Sequence, residues 1–241
     1  MDSLYQVKEM IPESEKKKLD TDTKIAKHLP QVPFRCLYIA PSFSVKTLSI
    51  ANLLTNPIFG YKQIFKKNIF IFSPTVTLDD PSFYNVEILE ENIFSDYNEA
   101  IINEIVEEQT EIINEFSKKK APHILLILDD VITSIGDARR DTLKRGFFSF
   151  RHYKISVILT SQLFTAVPRG IRLNASNLFI FTVNNSEVKR IAEEQPIDQA
   201  DFHEIYKHAT EEPFSFLHID MKKPVKERYF LRYEPIALIS H

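Results

Sequence analysis

Four glycines and one cysteine are few for a chain of 241 residues, and each shortage narrows the possibilities. With Cys36 alone, no disulfide can close within the chain, and a reducing compartment is the natural expectation. No apolar run approaches the roughly 20 residues of a membrane-spanning helix. The first residues are polar and acidic, with no basic stretch leading into an apolar core, so no secretory leader is expected. The histidines show no metal-ligand spacing, and no internal repeat or low-complexity block occurs. A net charge of -3 argues against a broadly basic nucleic-acid coat, while leaving room for a few local basic loops.

What is present fits one α/β domain, because 44% of the residues are hydrophobic and the charged share is ordinary. Residues 1–32 are polar and aperiodic, and read as an N-terminal arm; a solvated tail fits them equally well. Residues 33–241 read as the domain. Phe34 to Ala40, Asn68 to Ser73, His123 to Leu128, Ile155 to Leu159 and Asn177 to Val183 are short apolar runs, each ending in a polar residue or a turn signal. A weaker strand is expected at Asn85 to Leu89. Helical spacing spans Thr47 to Leu54, Asp96 to Lys118 and Asp137 to Phe150. It returns at Ser186 to Glu194 and Asp198 to Ala209, with Ser186 and Asp198 as expected N-caps. Lys118, Lys119 and Lys120 read as the cationic close of a helix. Phe214 to Asp220 and Arg228 to Glu234 read as a hairpin. Apolar strands alternating with helices predict a mainly parallel sheet covered on both faces, with ligands at the strands' carboxyl ends.

The chemistry gathers at those ends. Ala40, Pro41, Ser42, Phe43, Ser44, Val45, Lys46 and Thr47 occupy the place of a phosphate loop between a strand and a helix. Lys46 would reach terminal phosphates, and Thr47 would offer its hydroxyl to Mg²⁺. Ala40 and Val45 stand where the pattern has glycine, and Phe43 where small residues are common. Glycine there supplies positive φ and close backbone approach; holding Val45 in that conformation costs about 1–3 kcal/mol. Asp129 and Asp130 end an apolar strand. They serve either as the metal-holding acid and the group that orients or deprotonates water, or as a strand terminus and helix cap. Gln162 ends the next strand, where its amide can donate to a phosphate and accept from water, or simply make a turn. Arg151 and Arg172 sit near element ends, as candidates to stabilise transition-state charge across a subunit boundary, or as plain surface arginines. Arg139, Arg140, Lys144 and Arg145 make one helix face basic, which fits solvent or DNA phosphates. No guanine-reading NKxD pattern occurs.

The segment RHYKISVILTSQLFTAVPRGIRLNASN, from Arg151 to Asn177, carries an Arg-His pair, a Thr-Ser-Gln strand ending and an Ile-Arg-x-Asn-Ala stretch. With Phe72-Ser73-Pro74-Thr75 and Leu128-Asp129-Asp130, it resembles the poxvirus-type DNA-packaging ATPases, a branch of the FtsK–HerA superfamily of P-loop NTPases. The resemblance covers about residues 33–195. It implies a RecA-like core with an additional strand, binding ATP and Mg²⁺ at the boundaries of a homo-oligomeric ring. It implies double-stranded DNA and a viral capsid or packaging vertex as partners, and no membrane. The host-cell cytoplasm or a viral factory, or association with the virion, is the expected location. By the resemblance Lys46 and Thr47 are the phosphate-loop pair, Asp129 and Asp130 the metal and water acids, Gln162 the sensor, and Arg151 and Arg172 accessory arginines. The charged stretch Lys222 to Lys226 becomes a candidate to line the channel of such a ring. The missing glycines leave a second expectation: a weak or inactive homologue with a structural or DNA-binding role.

Overall fold

The computed structural model describes residues 25–41, 46–75, 86, 88–133 and 135–237. Residues 42–45, half of the phosphate-loop segment 40–47, lie outside the described residues.

The apolar runs form the strands β1 (Arg35–Ile39), β2 (Ile69–Phe72), β4 (Ile124–Leu128), β5 (Ile155–Ser161) and β6 (Asn177–Ile180). With β3 (Ile93–Phe94), they make the parallel part of a nine-stranded sheet, in the order β3-β2-β4-β5-β1-β6. The order continues antiparallel through β7 (Leu217–Asp220), β8 (Tyr229–Leu231) and β9 (Glu234–Pro235). β5 therefore lies between β1 and β4, so one strand separates the lysine-bearing loop from the strand carrying Asp129.

Alternation along each strand feeds two cores. Leu37, Ile39, Leu126, Leu128, Val157 and Leu159 point to one face. That face is covered by α3 (Glu99–Phe116), α4 (Asp137–Ser149), α5 (Arg169–Asn174), α6 (Asn185–Glu193) and α7 (Gln199–Thr210). Cys36, Tyr38, Leu125, Ile127 and Ile158 point to the other, under α1 (Lys46–Thr55) and α2 (Tyr61–Phe65). Two buried faces explain why the strands read as continuous apolar runs. Ile25 and Leu29, from the stretch read as an arm, are buried in the second core, and Tyr61 Oη donates to the Pro30 carbonyl at 2.7 Å.

Three readings change. The strand expected at Asn85 to Leu89 is absent at residues 88 and 89, and residues 85 and 87 lie outside the described residues. The edge strand is Ile93–Phe94, after a 3-10 turn at Glu90–Asn92; two residues carry no readable alternation. Helix α6 is capped by Asn184, not Ser186: Asn184 Oδ1 accepts from the Glu187 amide at 2.9 Å, and Ser186 Oγ donates to that same oxygen at 2.6 Å. Lys118, Lys119 and Lys120 lie past α3, in the turn that leads to β4, because Ser117 at φ 78 has already ended the helix. The Asp198 cap on α7 and the β7–β8 hairpin stand where the sequence places them.

Candidate functional site

Parallel register decides which polar residues meet. Phe72 pairs with Leu128 and Leu128 with Leu159, so Ser73, Asp129 and Thr160 fall side by side at the tips of β2, β4 and β5. The hydrogen bonds follow from that alignment. Ser73 Oγ donates to Asp129 Oδ2 at 2.9 Å, and Thr160 Oγ1 donates to Asp129 Oδ1 at 2.7 Å. Thr160 Oγ1 also accepts from the Asp130 amide at 3.0 Å. Asp130 has φ 51, the left-handed region that Asp tolerates better than most residues. That turn stands the two carboxylates next to each other.

Lys46 meets them from the first turn of α1, which starts across the loop from β1. Lys46 is 6% exposed, and its ammonium is ion-paired with Asp130 Oδ2 and lies 3.9 Å from Asp129 Oδ1. A buried ammonium between two carboxylates is a matched arrangement, since removing either sign would strand the other in a dry site. Gln162, exposed beyond the tip of β5, reaches Asp130 Oδ2 with Nε2 at 3.4 Å. Thr47 is half-buried one residue into α1. Ala40 is buried at the end of β1, where its amide donates to the Ser161 carbonyl at 3.1 Å. Pro41 follows it, exposed. The tips of β4 and β5 and the start of α1 thus bring Lys46, Asp129, Asp130 and Gln162 together.

The donor set suits a hard divalent cation. Asp129 and the Thr47 hydroxyl are oxygen ligands, and Mg²⁺ is held by one or two carboxylates plus substrate phosphates rather than by an all-protein cage. Among the described residues, no group of three or more His, Cys, Asp or Glu residues could hold a metal ion.

The two arginines are not brought to this site. Arg151 is exposed in the turn Phe150–Tyr153 before β5, at the opposite edge of the sheet from Asp129. Arg172 is committed within the chain. Its Nη2 bonds Glu194 Oε1 at 2.5 Å and its Nη1 the Val167 carbonyl at 2.6 Å; the guanidinium lies 4.7 Å from the centre of the Phe164 ring. It ties the loop after β5 to the end of α6, and Glu187 fastens the same loop by accepting from Thr165 N at 3.1 Å and Thr165 Oγ1 at 2.8 Å. In the basic segment of α4, Arg140 donates to the Ile132 carbonyl and pairs with Asp137 at 3.3 Å.

Ser73 and Thr160 are the site residues that sequence reasoning passed over. Each is a polar tip on an apolar strand, the same signal that marks Asp129. Only the strand order shows that both flank β4.

The comparisons with known proteins bear on the family and on the fold. The sequence profile described as "Poxvirus A32 protein" matches residues 23–208. The chain belongs to the poxvirus A32 protein family. Among named members, the DNA packaging protein OPG160 of variola virus is 27% identical over 178 residues, covering 72% of this chain and 62% of that protein. OPG160 of vaccinia virus strain Copenhagen is 27% identical over 175 residues, covering 70% and 61%. The chain thus aligns with about three fifths of the length of these A32 relatives. Among solved structures, B204, the DNA-packaging ATPase from Sulfolobus turreted icosahedral virus, superposes with a TM-score of 0.53 at 17% identity. That match covers 79% of this chain and 94% of B204. B204 from Sulfolobus turreted icosahedral virus 2, in complex with ATP-γS, gives 0.54 at 13% identity, over 79% and 93% of the two chains. At such identities the structures speak for the fold, a mixed α/β sheet of the P-loop ATPase kind. No helix among the described residues is long and apolar enough to cross a membrane.

Proposed function

We propose that this chain is an ATP-driven motor subunit that moves double-stranded DNA into a viral capsid, working as a homo-oligomeric ring in the host-cell cytoplasm or viral factory. The observation that carries the proposal is the meeting of Lys46, Asp129, Asp130 and Gln162 at the tips of β4 and β5 and the start of α1. The names of the A32 relatives and of the B204 structures support DNA packaging and nucleotide binding as the use of such a site.

Each residue has a role that its position permits. Lys46, held by Asp130 in this structure, would exchange that carboxylate for a terminal phosphate oxygen. Asp129 is fixed by Ser73 and Thr160 through both oxygens, and with Thr47 it would hold Mg²⁺. Mg²⁺ bound there would supply neutralising charge to the phosphates. Released from Lys46, Asp130 would orient the attacking water and take its proton. Gln162 lies within reach of the same carboxylate, so it would hold the water from the other side and sense the departing phosphate.

A second reading, a weakly active or inactive subunit with a structural role, is favoured by one feature: Ala40 and Val45 stand where phosphate loops have glycine, and Phe43 where small residues are common. Calorimetry of Mg-ATP binding, with Lys46→Ala as control, separates the two. Binding that disappears in the control supports the motor, and no binding by either protein supports the structural subunit. If the side chains crowd the phosphates, glycine at positions 40, 43 and 45 raises affinity and turnover. Unchanged binding would overturn that account of the loop.

A further inference from the structure

We propose that the N-terminal edge of the parallel sheet, opposite the edge holding Lys46 and Asp129, binds the phosphate backbone of duplex DNA. The choice of duplex DNA among polyanions rests on the packaging reading; the clustering of charge does not.

The cations come from sequence-distant segments that the topology aligns. Lys66 and Lys67 precede β2, Lys118 to Lys120 precede β4, and Arg151 and Lys154 precede β5. Arg35 opens β1, and Lys222 and Lys226 lie in the loop from β7 to β8. β7 runs antiparallel to β6, with Asp220 opposite Asn177, so that loop is delivered to the same edge as the strand starts. The row follows the strand order β2, β4, β5, β1, β6, β7. At about 4.8 Å per strand it extends roughly 24 Å, comparable to the width of a duplex and longer than several of its phosphate spacings.

Among the described residues, none of these cations makes an ion pair with a carboxylate. Lys154 Nζ instead donates to the carbonyls of Ala121 at 2.5 Å and Lys119 at 3.4 Å. The lysines of the row are exposed apart from Lys154, which is half-buried like Arg35; Arg151 is exposed. The nearby acids are Glu90 and Glu91 before β3, Glu115 three residues ahead of Lys118, and Asp220 and Glu227 beside the last loop, where the Asp220 carboxylate attracts the Lys222 ammonium. The cations also press on one another. Burial first, then Arg151, holds the Arg35 guanidinium below its ordinary value, and burial, then Lys118, does so for Lys154. In a chain of net charge -3, so many unpaired cations on one edge are a local excess, which an external polyanion would relieve. Lys and Arg reading phosphates alone give binding that is sequence-independent and salt-sensitive.

The test is fluorescence anisotropy of a short labelled duplex of mixed sequence, without nucleotide, between about 50 and 200 mM salt. The edge variant reverses four exposed charges: Lys119→Glu, Lys120→Glu, Lys222→Glu and Lys226→Glu. The control reverses Arg139 and Arg145 on α4, also exposed. The edge variant is expected to raise Kd at least about tenfold, and to lower the salt slope by about 1 for each lysine that touches a phosphate. The control should stay within about twofold of the unaltered protein. Mg-ATP calorimetry on the same samples reports the opposite edge and the fold. Edge-dependent DNA binding by a protein that binds no ATP would keep this proposal and remove the motor reading. ATP binding with no DNA affinity, or with DNA affinity lost only in the control, would overturn this proposal. So would an edge variant that keeps DNA but loses polyglutamate, since the surface would then belong to an acidic protein partner.

Discussion

At the carboxyl edge of the sheet the buried charges are matched within the chain. Lys46 lies between Asp130 and Asp129, and Asp129 is bonded through both oxygens. At the amino edge, lysines and arginines from five segments stand together with no carboxylate partner among the described residues. The difference bears on ligands. A ligand at the carboxyl edge must compete with contacts already made, so affinity there depends on what it offers in exchange: a phosphate for Lys46, a cation for Asp129. A polyanion at the amino edge breaks no ion pair, so binding there should be governed by charge number and salt.

The comparison is broken most directly by Lys46→Ala. The substitution leaves two carboxylates in a site where Asp129 is 5% exposed, and stability should fall by on the order of 3 kcal/mol in denaturant unfolding. Nucleotide affinity should fall at least about tenfold, through loss of one charge-assisted contact. DNA binding at the opposite edge should hardly change in the folded protein. An unchanged unfolding midpoint would mean that the acids are better hydrated than their burial indicates.

Acid is a second probe, because two histidines are held neutral away from the site. Burial, then Lys154, pushes His123 down to about 4 at the start of β4. Burial chiefly pushes His218 down to about 3, where its ring stacks on Phe179 at 4.5 Å and Nε2 faces the Asn177 amide at 3.0 Å. Unfolded histidine titrates near 6.5. Between that value and about 4 the unfolded chain binds more protons than the folded one, so stability falls as pH falls through this window. His218→Phe should flatten that dependence in unfolding curves recorded from pH 7 to pH 4; an unchanged slope would assign the loss to other groups.

Thr160→Val sharpens the carboxyl side alone. One hydroxyl donates to Asp129 and accepts from the Asp130 amide, so its removal leaves two buried polar groups short of a partner. A loss of about 1–3 kcal/mol is expected, together with weaker Mg²⁺ dependence of nucleotide binding. Stability equal to the unaltered protein would show that the acids find other partners.

The legibility of the two edges differed for physical reasons. Buried strands have a strong signature, so β1, β2, β4, β5 and β6 and the acid pair could be read from apolar runs with polar ends. Ser73 and Thr160 needed the strand order, since nothing local distinguishes a polar tip beside β4 from one elsewhere. The two-residue β3, the five-residue α2 and the six-residue α5 are shorter than the periods that reveal such elements. At Asn184, Asn185 and Ser186, three capping side chains stand in a row, and the sequence reading puts the cap at Ser186 where the structure uses Asn184. The basic edge was invisible piece by piece: Lys118 to Lys120 read as a helix end, and Arg151 as a candidate to act across a subunit boundary or a plain surface arginine. Only the parallel topology sets them in one row.

Arg172 supplies the smallest and most discriminating effect, because its sequence reading and its structural setting point different ways. Position in the chain suggests a group reaching across a subunit boundary, whereas the structure spends its donors on Glu194 and Val167, with side-chain exposures of 14% and 22% for the ion pair. If the contact fastens the loop after β5, Arg172→Lys and Glu194→Gln should each cost about 1 kcal/mol. Their double-mutant cycle should return a coupling of at least about 0.5 kcal/mol. Turnover should then fall only modestly, through Gln162, which that loop carries. An arginine acting on a neighbour's phosphates would give the reverse: turnover lower by about 10³ or more, with no coupling to Glu194 and no change in stability. Measuring both quantities on the same variants decides whether the charge at this end of the sheet is matched within one chain or shared between two.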